Sequence, residues 1–174
     1  MAKDYKDYGN YQGENEFAAG WFLPSEGETY KRLVSQIKNG TMIEVGSFEG
    51  LSLFYIKDVI KDNNIECHSV DIDDRPNLIE NTKNWGIKFI HLPSLDAAKL
   101  FEDNSIDLIF IDADHGYESV CQDIKVWLPK VKSNGILMGH DYDNYWPGVM
   151  RAVDEMLHPV KMEGRIWIYQ RIKL

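Results

Sequence analysis

From residue 41 onward, short apolar runs alternate with amphipathic stretches, the pattern of βαβ units on a parallel sheet. The runs TMIEV (41–45), ECHSVDI (66–72), IKFIHL (87–92), IDLIFID (106–112) and GILMGHD (135–141) are expected strands. Several are nearly continuous in apolar residues, as strands covered by helices on both faces are. Between them the spacing predicts helices at about 51–62, 76–84, 95–102 and 117–131. In the last of these, Tyr117, Val120, Ile124 and Leu128 fall on one helical face. A helix over about 26–38, carrying Tyr30, Leu33, Val34 and Ile37 on one side, precedes the first strand. Another at about 147–157 follows the fifth strand, and VKME and RIWIYQRI then flank Gly164 as an antiparallel hairpin.

At 174 residues the chain suits one domain with a substantial core, and no linker or repeat divides it. Residues 1–25 form an N-terminal segment poor in aliphatic side chains, with Tyr5, Tyr8 and Tyr11 three apart. A loosely ordered arm and a lid over the site are both open readings of it. Residues 26–174 are expected to be the single functional domain.

Charge narrows the partners. The chain holds 28 acidic and 19 basic residues, a formal charge of −9, which matches a phosphate backbone poorly. Nucleic acid is therefore not expected as a partner, and a small molecule is. No apolar run reaches membrane-spanning length, and the first residues lack the apolar stretch of a signal peptide. The two cysteines, Cys67 and Cys121, form neither a disulfide framework nor a metal-ligand spacing. These features point to a cytoplasmic protein without a membrane partner. A homodimer is allowed by the sequence and not required by it.

In an open α/β sheet the ligand lies beyond the carboxyl ends of the strands, so those positions carry the chemistry. Here they read Glu44-Val45-Gly46-Ser47-Phe48-Glu49-Gly50, Asp71-Ile72-Asp73-Asp74, Leu92-Pro93-Ser94, Asp112-Ala113-Asp114-His115 and His140-Asp141-Tyr142-Asp143. Gly46 allows close backbone approach to a ligand, and Gly50 allows tight packing at the head of a helix. A βα turn with no ligand has the same spacing. Asp71 stands 25 residues after Gly46, where a carboxylate can accept from both ribose hydroxyls. A helix cap is the alternative for an isolated Asp, but beside the glycine turn it points to a nucleoside-containing cofactor.

The segments EVGSFEGLS, VDID and IDLIFIDADHGYESVCQDIKVWLPKVKSNGILMGHDY resemble class I S-adenosylmethionine-dependent methyltransferases. They resemble especially the small bacterial O-methyltransferase-like family that includes macrocin and other antibiotic-sugar methyltransferases. The resemblance implies a Rossmann-like, doubly wound α/β fold. Its seven-stranded sheet would be parallel except for an antiparallel C-terminal strand, with helices on both faces. It also implies S-adenosylmethionine as cofactor. Glu44, Gly46, Phe48 and Ser52 would surround the methionine portion, Asp71 the ribose and Ser94 the adenine, with Asp112 near the sulfonium. Ser47, Gly50 and Ile72 complete the implied cofactor set.

The same region resembles catechol-type O-methyltransferases, which place metal-binding carboxylates at the positions of Asp112 and Asp141. Such ligands suit Mg²⁺ or Mn²⁺. The amide ligand that follows the second carboxylate in those enzymes is replaced here by Tyr142, leaving His140 and Asp143 as candidate substitutes. His115 falls where those enzymes carry a general-base lysine. The catalytic candidates are thus His115, Asp112 and Asp141, and a histidine that caps the next helix or bonds Asp141 is the competing account of His115. Trp146-Pro147-Gly148 is either a structural turn or part of an acceptor pocket.

The expected reaction is methyl transfer to a hydroxyl of a sugar or phenolic acceptor. The alternative is a cofactor-binding module without catalysis or a part of a larger assembly. Base methylation is disfavoured by the acidic charge and by DADH where an Asn-Pro-Pro-Tyr type segment would stand. A nicotinamide-dependent dehydrogenase is disfavoured by the missing G-x-G-x-x-G fingerprint.

Overall fold

The computed structural model describes residues 21–171. Tyr5, Tyr8, Tyr11 and the rest of the arm before Trp21 lie outside the described residues. Helix α1 (Pro24–Val34) leads into β1 (Thr41–Val45), α2 (Leu51–Asp62), β2 (Glu66–Asp71), α3 (Pro76–Trp85) and β3 (Lys88–His91). The short α4 (Ser94–Ala97), β4 (Ile106–Ile111), α5 (Tyr117–Trp127), β5 (Val131–Gly139), α6 (Pro147–Met156), β6 (Lys161–Glu163) and β7 (Ile166–Gln170) follow. The seven strands lie in the order β3-β2-β1-β4-β5-β7-β6. Neighbours from β3 to β5 are parallel, and β7 runs antiparallel to both β5 and β6.

Period-two alternation in the central strands divides the core. Met42, Leu108, Phe110 and Met138 pack under α1 and α2, while Ile43, Ile109, Ile111 and Leu137 pack under α5 and α6. Side chains such as Leu108, Ile109 and Phe110 are fully buried, each stabilising the fold by roughly 1.5–3 kcal/mol.

Several boundaries differ from the sequence reading for identifiable reasons. The helix expected over 117–131 ends at Trp127, because Leu128 precedes Pro129 and the chain tightens into a 3₁₀ turn. The helix expected over 95–102 is one α turn plus a 3₁₀ turn. Helix α1 starts at Pro24, where proline's fixed φ suits the first turn, and ends at Val34 short of residue 38. Strand β5 begins at Val131 and ends at Gly139, so Asp141 has left the strand, with φ 59°.

Register places the site. Val45 pairs with Ile111 and Ile111 with Gly139, so these strands end in line. The next residues, Gly46, Asp112 and His140, leave the sheet side by side where strand order reverses between β1 and β4. Backbone hydrogen bonds fix them: Asp112 N–H donates to Val45 O (2.8 Å) and His140 N–H to Ile111 O (3.1 Å). The reversed direction of β7 brings Arg165, just before that strand, to the same edge, where its carbonyl accepts from Tyr142 N–H (3.0 Å).

Gly46 is required here by protein rather than by ligand. Its φ is +84°, and a Cβ would stand 2.2 Å from the Asp112 carbonyl oxygen. Gly50 also has a left-handed φ, +88°, but a Cβ there meets nothing closer than 3.4 Å. Gly46→Ala is therefore expected to destabilise the protein by about 2–4 kcal/mol, and Gly50→Asn by about 1 kcal/mol or less. Urea unfolding of the two variants checks this; equal losses would show that backbone conformation alone, and not the Asp112 contact, sets the cost.

Candidate functional site

The loop after β1 is held in place by Asp71. One oxygen of its carboxylate, Oδ2, accepts from the backbone N–H groups of Ser47 (2.8 Å) and Phe48 (2.9 Å), and Oδ1 accepts from Asp73 N–H (2.9 Å). The residue expected to read a ribose thus also ties β2 to the glycine turn. Phe48 adopts the left-handed region (φ 51°), which a bulky side chain rarely does without an imposed constraint. Its ring lies 4.3 Å below the Arg75 guanidinium and 5.3 Å from the Trp21 ring.

Beneath the turn Glu44 is fully buried, accepting from Ser52 Oγ–H (2.7 Å) and Tyr30 O–H (3.0 Å). Burial without a neighbouring cation pushes its carboxyl up to about 8. Ser47 Oγ accepts from Ser69 Oγ–H (2.8 Å), another strut under the loop.

Three cavities adjoin along the carboxyl edge. The first, about 460 Å³, is lined by Gly46, Phe48, Asp71, Ile72 and Asp112, and continues past Arg75 to Leu92, Ser94, Leu95, Ser119, Gln122 and Asp123. The second, about 180 Å³, is lined by Gly46, Ser47, Phe48, Ser52, Asp112, His115, His140 and Asp141, with Trp21 and Phe22 opposite. The third, about 470 Å³, is walled by Trp21, Tyr145 and Trp146 and carries His115, Asp141, Asp143 and Arg165. Asp112 belongs to the first two, and His115 and Asp141 to the last two. Glu44 and Gly50 line none of these three: Glu44 is a buried support and Gly50 sets the entry of α2.

Around the second cavity lies a cluster of buried charge. His140, with a side chain 2% exposed, has Nε2 3.0 Å from Glu26 Oε2, and Nδ1 3.2 Å from Asp141 Oδ1 and 3.7 Å from Asp112 Oδ2. Burial opposes a charge on this ring, but the surrounding carboxylates outweigh it and raise the imidazole to about 10. Glu26, which burial alone would raise, is lowered to about 2 by His140 and Arg165. The Arg165 guanidinium donates from Nε and Nη2 to the two oxygens of Glu26 (2.8 and 3.0 Å) and from Nη2 to the Trp21 carbonyl (3.0 Å). Its Nη1 lies 3.4 Å from Asp141 Oδ1. Desolvation raises Asp112 to about 6, against the pull of His140.

His115 stands at the boundary of the second and third cavities. Its Nε2 is 2.7 Å from Asp141 Oδ2, off the line of a straight hydrogen bond, and its ring stacks on Trp146 at 4.0 Å. Burial would lower its pKa, yet Asp141, Asp112 and Asp114 together raise it. Asp141 is correspondingly held well below the usual carboxylate range, with His115 and His140 overcoming its burial. It too has a left-handed backbone, φ 59°.

Of the residues considered for a metal, Asp112, His115 and Asp141 offer ligand atoms within 4.8 Å of one another. His140 is instead enclosed as a cation among carboxylates, and Asp143 Oδ1 accepts from the N–H groups of Tyr145 (2.8 Å) and Trp146 (3.2 Å), fixing the turn before α6. Sequence reasoning missed Glu26, Arg165, Arg75, Trp21 and Asp123. Asp123 did leave a signal, as an acidic residue within the apolar face of α5.

Comparisons with known proteins agree with this fold. Residues 43–142, more than half of the chain, match the model of a family described as a methyltransferase domain. An uncharacterized protein, R132, of Acanthamoeba polyphaga mimivirus is 28% identical over 138 residues. The alignment takes in 70% of this chain, which spans 61% of the length of that relative. Among solved structures, a Corynebacterium glutamicum protein superposes with a TM-score of 0.70 at 14% identity, over 87% of this chain and 82% of the other. The methyltransferase PaMTH1 of Podospora anserina, bound to S-adenosylhomocysteine, gives 0.68 at 19% identity over 85% and 78%. CalS11, a TDP-rhamnose 3'-O-methyltransferase of calicheamicin biosynthesis, gives 0.67 at 13% over 86% and 81%. At these identities the structures establish a shared fold.

The buried Glu44 has a consequence for stability. Its folded-state pKa lies above that of an unfolded glutamate, so between pH 4.5 and about 8 the unfolded chain releases a proton that the folded protein keeps. Stability is expected to fall as pH rises through that window, and Glu44→Gln, which mimics the protonated carboxyl, should remove this part of the decline. Urea midpoints of both proteins at pH 5 and pH 8 test the point; identical pH dependence would show that Glu44 is ionised in the fold.

Proposed function

The chain belongs to the methyltransferase-domain family, and on that premise we propose that it transfers a methyl group from S-adenosylmethionine to a hydroxyl of a small acceptor, a sugar or a phenol. The observation that carries this reading is the position of His115 between the narrow second cavity and the aromatic third one.

The residues present suit the cofactor. Asp71, Asp73 and Arg75 give the first cavity a polar flank, Ile72, Leu92 and Leu95 give it apolar walls, and the Asp71-bound turn holds the neck between the first two cavities. When bound, S-adenosylmethionine supplies a methyl group already activated on a sulfonium. What remains for the protein is to align the acceptor and remove its proton. With Nε2 of His115 against Asp141, Nδ1 is the atom that takes the proton, and Asp141 stabilises the imidazolium formed. The aromatic walls of the third cavity, from Trp21, Tyr145 and Trp146, support a ring-shaped acceptor there. Arg165, the cation among the described residues that line it, is engaged by Glu26 and Asp141, which favours an uncharged acceptor.

A second reading rests on the ligand atoms of Asp112, His115 and Asp141. A divalent ion held there would polarise the acceptor hydroxyl in place of a base, and the mixed carboxylate and imidazole set suits Mn²⁺ better than Mg²⁺.

S-adenosylhomocysteine is expected to raise the thermal unfolding midpoint, and NAD to leave it unchanged. Stabilisation by NAD alone would overturn the cofactor assignment. On a panel of phenols and free sugars, His115→Ala and His115→Gln should lose about 10²- to 10⁴-fold in turnover with S-adenosylhomocysteine affinity within a few-fold of the parent. Turnover that persists in both variants removes His115 from the chemistry. Activity that vanishes with EDTA and returns with Mn²⁺ selects the metal reading over the free base.

A further inference from the structure

The far end of the first cavity contains a buried carboxylate that the reaction does not use. Asp123 is 5% exposed on the face of α5 that otherwise buries Val120, Ile124 and Trp127. No cation pairs with it among the described residues. Its Oδ1 accepts from Ser94 Oγ–H (2.5 Å), and Ser94 in turn accepts from Trp127 Nε1–H (2.9 Å). That chain of bonds orients one oxygen and leaves Oδ2 without a protein donor among the described residues, although Asp123 lines the cavity. The second oxygen therefore faces the cavity as a fixed, uncompensated acceptor, ready for a donor that arrives with the ligand.

The layout of the cavity identifies the donor. Asp71 and Asp73 lie at the end of β2 beside the turn after β1, whereas Ser94 follows β3 and meets Asp123 of α5 at the other end of the cavity. A nucleoside whose ribose meets the first pair reaches the second with its base. Between them the walls are Ile72, Leu92 and Leu95, apolar side chains suited to a flat ring. Of the common purines, adenine carries a hydrogen-bond donor at position 6, and hypoxanthine and guanine carry a carbonyl there that a carboxylate repels.

We propose that Asp123 is the residue that selects adenine, accepting a hydrogen bond from the exocyclic amine of the bound nucleoside. The proposal rests on the cofactor reading given above. Ser94 acts through Asp123 as a positioning residue, holding the carboxylate in the orientation that faces the base.

The test compares the dissociation constants of S-adenosylhomocysteine and S-inosylhomocysteine, measured by calorimetry on the whole chain. The wild-type protein should favour the adenosyl compound by about 10- to 100-fold, the range of a hydrogen bond to a charged group. Asp123→Asn, whose amide can donate to a carbonyl, should compress that ratio to within about 3-fold. Ser94→Ala, which removes the hydroxyl that orients the carboxylate, should lower the ratio by at least about 3-fold and serves as the deciding variant if Asp123→Asn does not fold. Equal affinity of the wild-type protein for the two nucleosides overturns the proposal, as does an unchanged ratio in folded Asp123→Asn or, where that variant does not fold, in Ser94→Ala. Wild-type protein that binds neither compound overturns the cofactor reading itself, and is distinguished from those outcomes by the absence of any binding.

Discussion

The site depends on one constraint, the shared register that ends β1, β4 and β5 together at Val45, Ile111 and Gly139. Three consecutive exits from a parallel sheet are thereby set side by side, and the side chains that follow must share one small space. Gly46 makes this sharing feasible, because any side chain there would occupy the Asp112 carbonyl. Asp71 then fixes the height of the turn with two backbone hydrogen bonds. The narrow cavity beside His115 follows from this backbone arrangement before any ligand is considered.

Placing the carboxylates of Glu26, Asp112 and Asp141 so close raises an electrostatic problem, and the protein answers it with two cations from separate parts of the sequence. His140 after β5 lies among all three, and Arg165 before β7 bridges Glu26 and Asp141, so that acid and base alternate through the cluster. Removing one member leaves its partners charged and buried, which costs far more than a surface ion pair is worth. The left-handed backbone at Asp141 is held within this network, with strain accepted where the carboxylate must face both His140 and His115.

Much of this was legible in the sequence. Apolar runs of strand length separated by helical stretches gave the sheet, and the GRIWIYQ segment after VKME gave the reversed last strand. The polar residues at strand ends located Gly46, Asp71, Asp112, His115 and Asp141 at one edge, because in a parallel sheet all strand ends point the same way. What stayed hidden depends on long-range geometry. Glu26 reads locally as an acid in the first turn of a helix, and Arg165 as a polar residue in a hairpin. Glu44 reads as a ligand residue by its place in the motif, but the pleat turns it inward to Tyr30 and Ser52. Tyr142 and Asp143 follow a residue in the left-handed region, so strand alternation could not say which way they face.

The Glu26–Arg165 bridge also bears on the order of assembly. Its partners are 139 residues apart, so during synthesis the segments that form β1 to β6 have all been made before the guanidinium arrives. Until then Glu26 and Asp141 lack their shared guanidinium, and water must solvate both carboxylates. Closure of the last hairpin therefore does two things in one event: it completes the sheet edge and shields the charged cluster beside the second cavity from water. Without that hairpin the chain would keep the scaffold of the site but not its charge-balanced interior.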